Sequence, residues 1–265
     1  MNWKKIALGT FTLKRLFRST IIIYIMATLL AYFFAQKLIF PYNQSSYSNE
    51  LNGLELIKST DGTEIATRFW QADREKYLVL YFHGNYLDLG HLDEIAAQLN
   101  THNYSVLALD YRGYGMSKGQ PSEKTCYEDA QALYEQAIKK GYQKDNIIIM
   151  GRSVGTGIAA DLASMHKSKA LVLISPYVSI YRVMTHIPLI AFDKFNTLAK
   201  INQINSKLFI AHGEDDAVIP SWHSETLFNS FSGEKLREVF PRVGHNDIWQ
   251  VPSHLFLDKL DKFIN

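Results

Sequence analysis

Hydrophobic residues follow two different patterns along the chain. Between Arg18 and Lys37 lie 18 residues without a formal charge, and apolar residues continue to Phe40. A helix of this length covers about 27 Å, close to the hydrocarbon thickness of a bilayer. The segment lacks the polar face expected of a helix on a soluble core. The pattern therefore predicts a transmembrane helix over residues 19–40.

After Pro41 the pattern changes to short apolar runs alternating with segments of helical spacing. Strands are predicted at 51–58, 64–70, 77–82, 104–110, 146–150, 170–175, 207–212 and 236–240. Helices are predicted at 89–99, 122–140, 153–165 and 247–264. Alternating strands and helices indicate an α/β fold, with a mostly parallel sheet and helices on both faces. Ligands of such sheets bind at the carboxyl ends of the strands.

Residues 177–203 interrupt this alternation and are rich in aromatic and aliphatic side chains. Two interpretations remain open: an insertion of one or two short helices that forms a small lid, or an ordinary crossover helix. The predicted organisation is a basic N-terminus over 1–18, a membrane span over 19–40 and an α/β domain over 41–265.

The charge distribution bears on topology and partners. All charges before the apolar segment are positive: Lys4, Lys5, Lys14, Arg15 and Arg18. Cations on this side predict a cytoplasmic N-terminus, a retained signal anchor and an extracytoplasmic domain, periplasmic if the source is bacterial. A cleaved signal peptide fits less well, because cleavage after Ala35 would put Phe33 where a small residue is needed. The other 23 basic residues face 26 acidic ones, so a nucleic-acid partner is not expected.

The composition also limits cofactor chemistry. Cys126 is the only cysteine, so the chain has no intramolecular disulfide. The sequence has no paired-cysteine, H-x-H or H-E-x-x-H spacing, and no phosphate-binding glycine loop between a strand and a helix. We therefore expect neither a metal site nor a cofactor.

The five residues Gly151–Gly155 read GRSVG and match the pattern G-x-S-x-G. They directly follow a predicted buried strand and open a predicted helix, which is the setting a nucleophilic serine elbow requires. Glycine at 151 and 155 would permit the tight turn. Ser153 is therefore the candidate nucleophile, and the Val154 backbone N–H is a candidate oxyanion donor.

A serine hydroxyl needs a base, and in this arrangement the partners follow in the order serine, acid, histidine. The loop after strand 207–212 offers three carboxylates, Glu214, Asp215 and Asp216. The loop after strand 236–240 carries His245, which is the candidate base. The acid would fix the tautomer of that histidine and stabilise its imidazolium form.

Two loops earlier in the chain complete the predicted site. The segment after strand 77–82 begins at His83, and the Asn85 backbone N–H is predicted as the second oxyanion donor, with His83 bonding across the loop. The stretch 110–115 reads DYRGYG and follows another strand. It either lines a substrate site or forms a structural turn held by an Arg–Asp pair.

Five segments resemble one family: FHGNYLDLG, DYRGYGMSKGQPSE, GRSVGTGIA, HGEDDAVIP and VGHND. Together they are similar to membrane-anchored α/β-hydrolases related to eukaryotic protein depalmitoylases, in the serine-aminopeptidase-like clan. The resemblance spans roughly residues 38–265 and implies the α/β-hydrolase fold. Its pattern H-G-x-x-D-x-x-V-P implies that the acid is Asp216 rather than Asp215. Two features differ from the family: Tyr86 stands where a small residue is usual, and the N-terminus carries an apolar helix instead of lipidated cysteines.

The sequence thus predicts a serine hydrolase that cleaves a carboxylic ester or thioester through an acyl-enzyme. The expected substrates are small, acylated or membrane-associated molecules. Two alternatives remain: a serine peptidase, and a catalytically silent scaffold used for binding.

Overall fold

A computed structural model describes residues 12–41, 44–185, 187 and 192–265. The chain divides into two compact units, one ending at Ile39 and the other comprising Phe40–Asn265. In the first unit, helix α1 (Leu13–Ile39) is 27 residues long, and its most apolar window has a mean hydropathy of 1.8. By length and composition, α1 is able to cross a membrane.

The second unit is built on one eight-stranded sheet. The strands are β1 (Leu54–Lys58), β2 (Glu64–Trp70), β3 (Tyr77–Phe82), β4 (Tyr104–Leu109), β5 (Ile147–Arg152), β6 (Ala170–Ile174), β7 (Lys207–Gly213) and β8 (Lys235–Phe240). Their order across the sheet is β1-β2-β4-β3-β5-β6-β7-β8. Strand β2 is antiparallel to β1 and β4, and all other pairs are parallel. Every residue of β3, β4, β5 and β6 is buried, as expected for parallel strands covered on both faces.

The helices of this unit are α2 (Asp93–Thr101), α3 (Glu123–Lys139), α4 (Val154–Met165), α5 (Ile180–Met184), α6 (Thr197–Lys200), α7 (Trp222–Ser230) and α8 (Ser253–Ile264). The predicted helix 89–99 was wrong at its start, which is a separate 3-10 turn capped by Asp88. The predicted helix 247–264 is divided by Pro252, which has extended backbone angles and cannot donate a helical hydrogen bond. Helix α7 was not predicted.

The predicted lid segment, 177–203, contains the short helices α5 and α6, while residues 186 and 188–191 lie outside the described part. Its two ends are buried beside α4: a Cβ at Gly157 would lie 2.5 Å from the Tyr177 hydroxyl and 2.8 Å from Phe195 Cβ. Its middle is exposed at Met184 and Ile187. The described residues of this segment therefore form short helices rather than one long crossover helix.

The register brings the predicted site segments to one edge. Phe82 at the end of β3 pairs with Gly151 of β5, and Arg152 pairs with Ile174 of β6. His212 near the end of β7 pairs with Val239 of β8. Because these strands are parallel, the loops that follow them emerge side by side.

Candidate active site

Ser153 lies at the sharp turn between β5 and α4. Its backbone has φ 52° and ψ −121°, in a region that non-glycine residues rarely adopt. The Ser153 N–H donates to the Ile174 carbonyl at 2.9 Å, which fixes the turn to the next strand. A side chain at Gly155 would overlap the Phe82 carbonyl, and one at Gly151 would overlap the Gly155 carbonyl. The two glycines therefore allow the turn to pack directly against β3.

Three side chains form a hydrogen-bonded chain at this edge. His245 Nε2 lies 3.0 Å from Ser153 Oγ, and His245 Nδ1 lies 2.7 Å from Asp216 Oδ2. Close packing of loops brings the three residues together, since a Cβ at Gly213 would overlap the Val243 carbonyl just before His245. The arrangement places a base on the serine hydroxyl and an acceptor on the opposite ring nitrogen.

Asp216 is the carboxylate that reaches His245, while Asp215 is exposed. Asp216 Oδ1 accepts hydrogen bonds from the backbone N–H groups of Val218 at 2.9 Å and Ile219 at 2.8 Å. Burial raises the pKa of Asp216, but the polar contacts from His212 and His245 outweigh burial and hold that pKa well below its usual value. The carboxylate therefore stays ionised beside His245.

His212 is a residue of this site to which the sequence assigned no role. It is fully buried, and its Nε2 lies 2.8 Å from the Ile219 carbonyl and 3.4 Å from Asp216 Oδ2. It thus holds the turn that carries Asp216. In the sequence, this role was indicated by the place of His212 in the His-Gly pair at the end of β7. The folded structure is needed to show that its ring lies against the Asp216 carboxylate.

The loop after β3 lies against the nucleophile. A Cβ at Gly84 would lie 3.8 Å from Ser153 Cβ, so the Asn85 backbone follows directly beside the serine. Two tyrosines support this loop: Tyr111 donates its hydroxyl proton to the His83 carbonyl at 2.7 Å, and Tyr114 donates to the Asn85 carbonyl at 2.8 Å.

The predicted oxyanion donors flank Ser153. Asn85 is in the loop just described, and Val154 is in the first turn of α4, where backbone N–H groups have no partner within the helix. His83 Nδ1 lies 2.8 Å from the Gly84 carbonyl, and its Nε2 lies 3.5 Å from Asp110 Oδ1 in the loop after β4.

Two residues of the DYRGYG stretch, Arg112 and Tyr114, have different surroundings. Arg112 pairs with Asp129 of α3 at 2.9 Å and with Asp61 at 2.7 Å, which is the structural Arg–Asp interaction. Tyr114 lines a cavity of about 350 Å³ beside the Asn85 loop. The other lining residues are Gln44, Ser46, Tyr86, Leu87, Asp88, His91 and Gly115.

One group of potential metal ligands occurs among the described residues, far from Ser153 in the fold. His102, just before β4, lies 2.6 Å from Asp261 and 3.7 Å from Asp258, both on α8. The Tyr104 hydroxyl also bonds to Asp261. These groups satisfy one another at the amino-terminal edge of the sheet.

Several known proteins are similar to this chain. A model of the serine aminopeptidase S33 family matches residues 73–200. The human α/β hydrolase domain-containing protein 17B is 33% identical over 233 residues, which cover 82% of this chain and 77% of the human protein. The 17C protein of Xenopus tropicalis is 35% identical over 202 residues, covering 72% of this chain and 62% of that protein.

Solved structures agree on the architecture. The esterase Pf2001 of Pyrococcus furiosus superposes with a TM-score of 0.68 at 18% identity, over 85% of this chain and 95% of the esterase. Est1E of Butyrivibrio proteoclasticus, with ferulic acid bound, superposes with a TM-score of 0.66 at 17% identity, over 79% of this chain and 99% of Est1E. The predicted α/β-hydrolase fold is therefore confirmed. Together with the sequence relatives, this fold shows that the chain is a hydrolase that belongs to the family of α/β hydrolase domain-containing proteins 17.

Proposed function

We propose that the protein is a serine hydrolase that cleaves carboxylic esters or thioesters through an acyl-enzyme, with Ser153, His245 and Asp216 as its catalytic triad. The observation that carries the proposal is the continuous hydrogen-bonded chain from Ser153 Oγ through both ring nitrogens of His245 to Asp216. The strained backbone of Ser153 supports it, because such strain is stored at functional sites.

The reaction has two halves. His245 Nε2 takes the Ser153 proton as Oγ attacks the acyl carbon, and the backbone N–H groups of Asn85 and Val154 stabilise the oxyanion. The intermediate then collapses, His245 returns the proton to the leaving alcohol or thiol, and the acyl group remains on Ser153. A water molecule, deprotonated by His245, releases the acid and restores the serine. Asp216 stays ionised throughout and stabilises the imidazolium.

The substrate is proposed to be an apolar acyl group or a membrane-associated molecule. Large apolar side chains next to site residues are exposed: Tyr86 is 69% exposed and Val218 54%. They follow Asn85 and Asp216 by one and two positions, so they border the site. The resemblance to the depalmitoylase-related group favours acyl thioesters among these substrates. The segment 177–203 is proposed as the lid.

The N-terminal helix is proposed as a signal anchor. Five cations precede its uncharged core, so the N-terminus would be cytoplasmic and residues 41–265 extracytoplasmic. Protease added to right-side-out and inverted vesicles tests this topology. Digestion of the body only in right-side-out vesicles is expected, and the reverse pattern would overturn the orientation.

A serine peptidase is the second candidate, because the matching family model describes serine aminopeptidases. Recognition of a substrate amino terminus would need a free carboxylate near the serine. Asp88, the carboxylate in the cavity beside Asn85, already accepts hydrogen bonds from Ser46 and Gly90 and contacts His91. Esterolysis therefore fits the site better. Aminoacyl p-nitroanilides cleaved faster than p-nitrophenyl esters would reverse this preference.

The proposal is tested by labelling the full-length, detergent-solubilised protein with a fluorophosphonate, which reacts with activated serines. We expect labelling of the wild type, none of Ser153→Ala, and unchanged labelling of Ser175→Ala, a second buried serine with positive φ at a strand end. A screen of p-nitrophenyl esters and acyl thioesters of increasing chain length then defines the substrate. A folded wild type that neither labels nor hydrolyses any ester would favour the binding scaffold.

A further inference from the structure

Arg152 immediately precedes Ser153 and is an unusual residue to find at the end of a central strand. It is 7% exposed, at the carboxyl end of β5. Within the described part of the chain, no carboxylate lies within ion-pair distance of its guanidinium, whereas the comparably buried Arg112 has Asp61 and Asp129. A buried cation without a counterion is costly, so a compensating role is expected of it.

The contacts of Arg152 connect the two loops that flank the nucleophile. Its Nη2 donates to the His245 carbonyl at 3.2 Å and to Asn246 Oδ1 at 2.6 Å. On the other side, a Cβ at Gly84 would lie 3.5 Å from Arg152 Nη1 and 3.8 Å from Ser153 Cβ. The guanidinium therefore lies beneath the backbone that presents Asn85 and beside the backbone that presents His245.

Both partners of the guanidinium are neutral oxygens, so its positive charge is not cancelled locally. The proposed reaction creates a negative charge on the substrate oxygen within reach of Asn85 and Val154. In a water-poor site such a charge interacts strongly with a fixed neighbouring cation, and the interaction is present only while the oxyanion exists.

We infer that Arg152 is a positioning residue that fixes the His245 loop and whose uncancelled charge stabilises the oxyanion behind Gly84. This inference rests on the proposed triad. It assigns two separable contributions to Arg152. The hydrogen bonds to the His245 carbonyl and the Asn246 side chain, here called the tether, hold the loop in place. The electrostatic effect of the net charge on the oxyanion is here called the field.

The variant Asn246→Asp separates the two contributions. It keeps an oxygen in place for Arg152, so the tether is retained or strengthened, but it cancels the charge. We expect kcat to fall about 10-fold with KM within about twofold and the melting temperature unchanged or raised. A wild-type kcat in this variant would overturn the inference.

Two substitutions of the arginine itself complete the set. Arg152→Gln removes the charge and is expected to lower kcat about 10- to 100-fold. Arg152→Lys keeps the charge, so its kcat is expected to be at least about fivefold higher than that of Arg152→Gln. Equal kcat values in the two variants would contradict a role for the charge. Arg237→Gln is the matched control, since Arg237 of β8 also bonds to neutral oxygens, of Ser221 and Ser224, and its loss should leave kcat within twofold.

An aryl boronic acid gives an independent readout, because it forms an anionic tetrahedral adduct with an activated serine. Its affinity is expected to fall in Asn246→Asp and Arg152→Gln in parallel with kcat, and unchanged affinity would count against the field. The proposed function fails separately, if wild type and Ser153→Ala hydrolyse esters equally. The inference fails alone if the wild type depends on Ser153 while Asn246→Asp is fully active.

Discussion

Two His–Asp pairs of similar geometry lie at opposite edges of the same sheet. At the carboxyl edge, His245 Nδ1 lies 2.7 Å from Asp216; at the amino edge, His102 Nδ1 lies 2.6 Å from Asp261. Both imidazoles are largely buried, with side chains 10% and 12% exposed. The pairs differ in the group that lies next to the second ring nitrogen, Nε2.

His245 Nε2 meets Ser153 Oγ, on a strained turn with backbone donors around it, whereas His102 Nε2 points toward a second carboxylate, Asp258, at 3.7 Å. Asp216 is fully buried at its side chain, and the Asp261 side chain is 31% exposed. The difference teaches that a short His–Asp contact does not make a catalytic site. The proposed nucleophile and oxyanion donors lie at the carboxyl edge of the sheet, where ligands of parallel sheets bind.

The largest expected contrast comes from replacing each histidine. His245→Gln removes the proposed base and should lower kcat/KM for a p-nitrophenyl ester by about 10⁴- to 10⁶-fold. His102→Gln should leave kcat/KM within about threefold of the wild-type value. Steady-state kinetics on folded protein checks both values, and a similar loss in both variants would mean that the two pairs are not functionally distinct.

The aspartates should separate activity from stability. Asp216→Asn is expected to lower kcat about 10³- to 10⁴-fold, because an amide does not hold the imidazole in its reactive tautomer. Asp215→Asn, at the exposed neighbour, should remain within twofold. Comparable losses in these two variants would leave the assignment of the acid unsupported.

At the amino edge, Asp261→Asn should keep activity but destabilise the fold by about 1–3 kcal/mol. The charged acceptor of both His102 and Tyr104 is lost there. Chemical denaturation measures this change, and an unaltered unfolding midpoint would show that the second pair contributes little to stability.

The lowered pKa of Asp216 predicts a pH dependence of stability. Its folded-state pKa lies below the usual value of 3.8, so the ionised carboxylate stabilises the fold above about pH 4. This contribution is lost as the pH falls through the folded-state pKa. The difference in unfolding free energy between wild type and Asp216→Asn should therefore shrink as the pH falls below 4. A difference that grows toward low pH would contradict the sign of the shift.

The smallest effects should come from two tyrosine hydroxyls. Tyr114→Phe removes the hydrogen bond to the Asn85 carbonyl and should lower kcat about 2- to 10-fold by loosening the oxyanion loop. Tyr104→Phe removes the bond to Asp261 and should leave kcat unchanged. If both variants retain full kcat, the loop does not depend on Tyr114 for its position.

Sequence periodicity predicted the strands well because parallel strands buried on both faces are short apolar runs. It was less accurate where local chemistry breaks a helix, at the capping Asp88 and at Pro252, and it missed α7, which has the weak pattern WHSETLFNS. The elbow pattern and the chain order indicate Ser153 and His245 as triad candidates, whereas the choice of Asp216 over Asp215 rests on the family resemblance. His212 and Arg152 received no role: Arg152 contacts residues more than 90 positions away, and the contact of His212 with nearby Asp216 depends on how the loop after β7 folds back.

The sequence by itself determined the apolar N-terminal helix, the alternation that builds the sheet, and Ser153, His245 and one carboxylate of the loop after β7 as candidates. These depend on local composition and on the order of elements along the chain. Only the tertiary structure decided which carboxylate contacts His245 and that Arg152 is buried between two loops with no counterion among the described residues. It also decided that His102, which has an equally short contact to an aspartate, lies at the edge of the sheet opposite Ser153. Such contacts are set by strand register and loop packing between residues 29 to 94 positions apart, which a linear pattern does not encode.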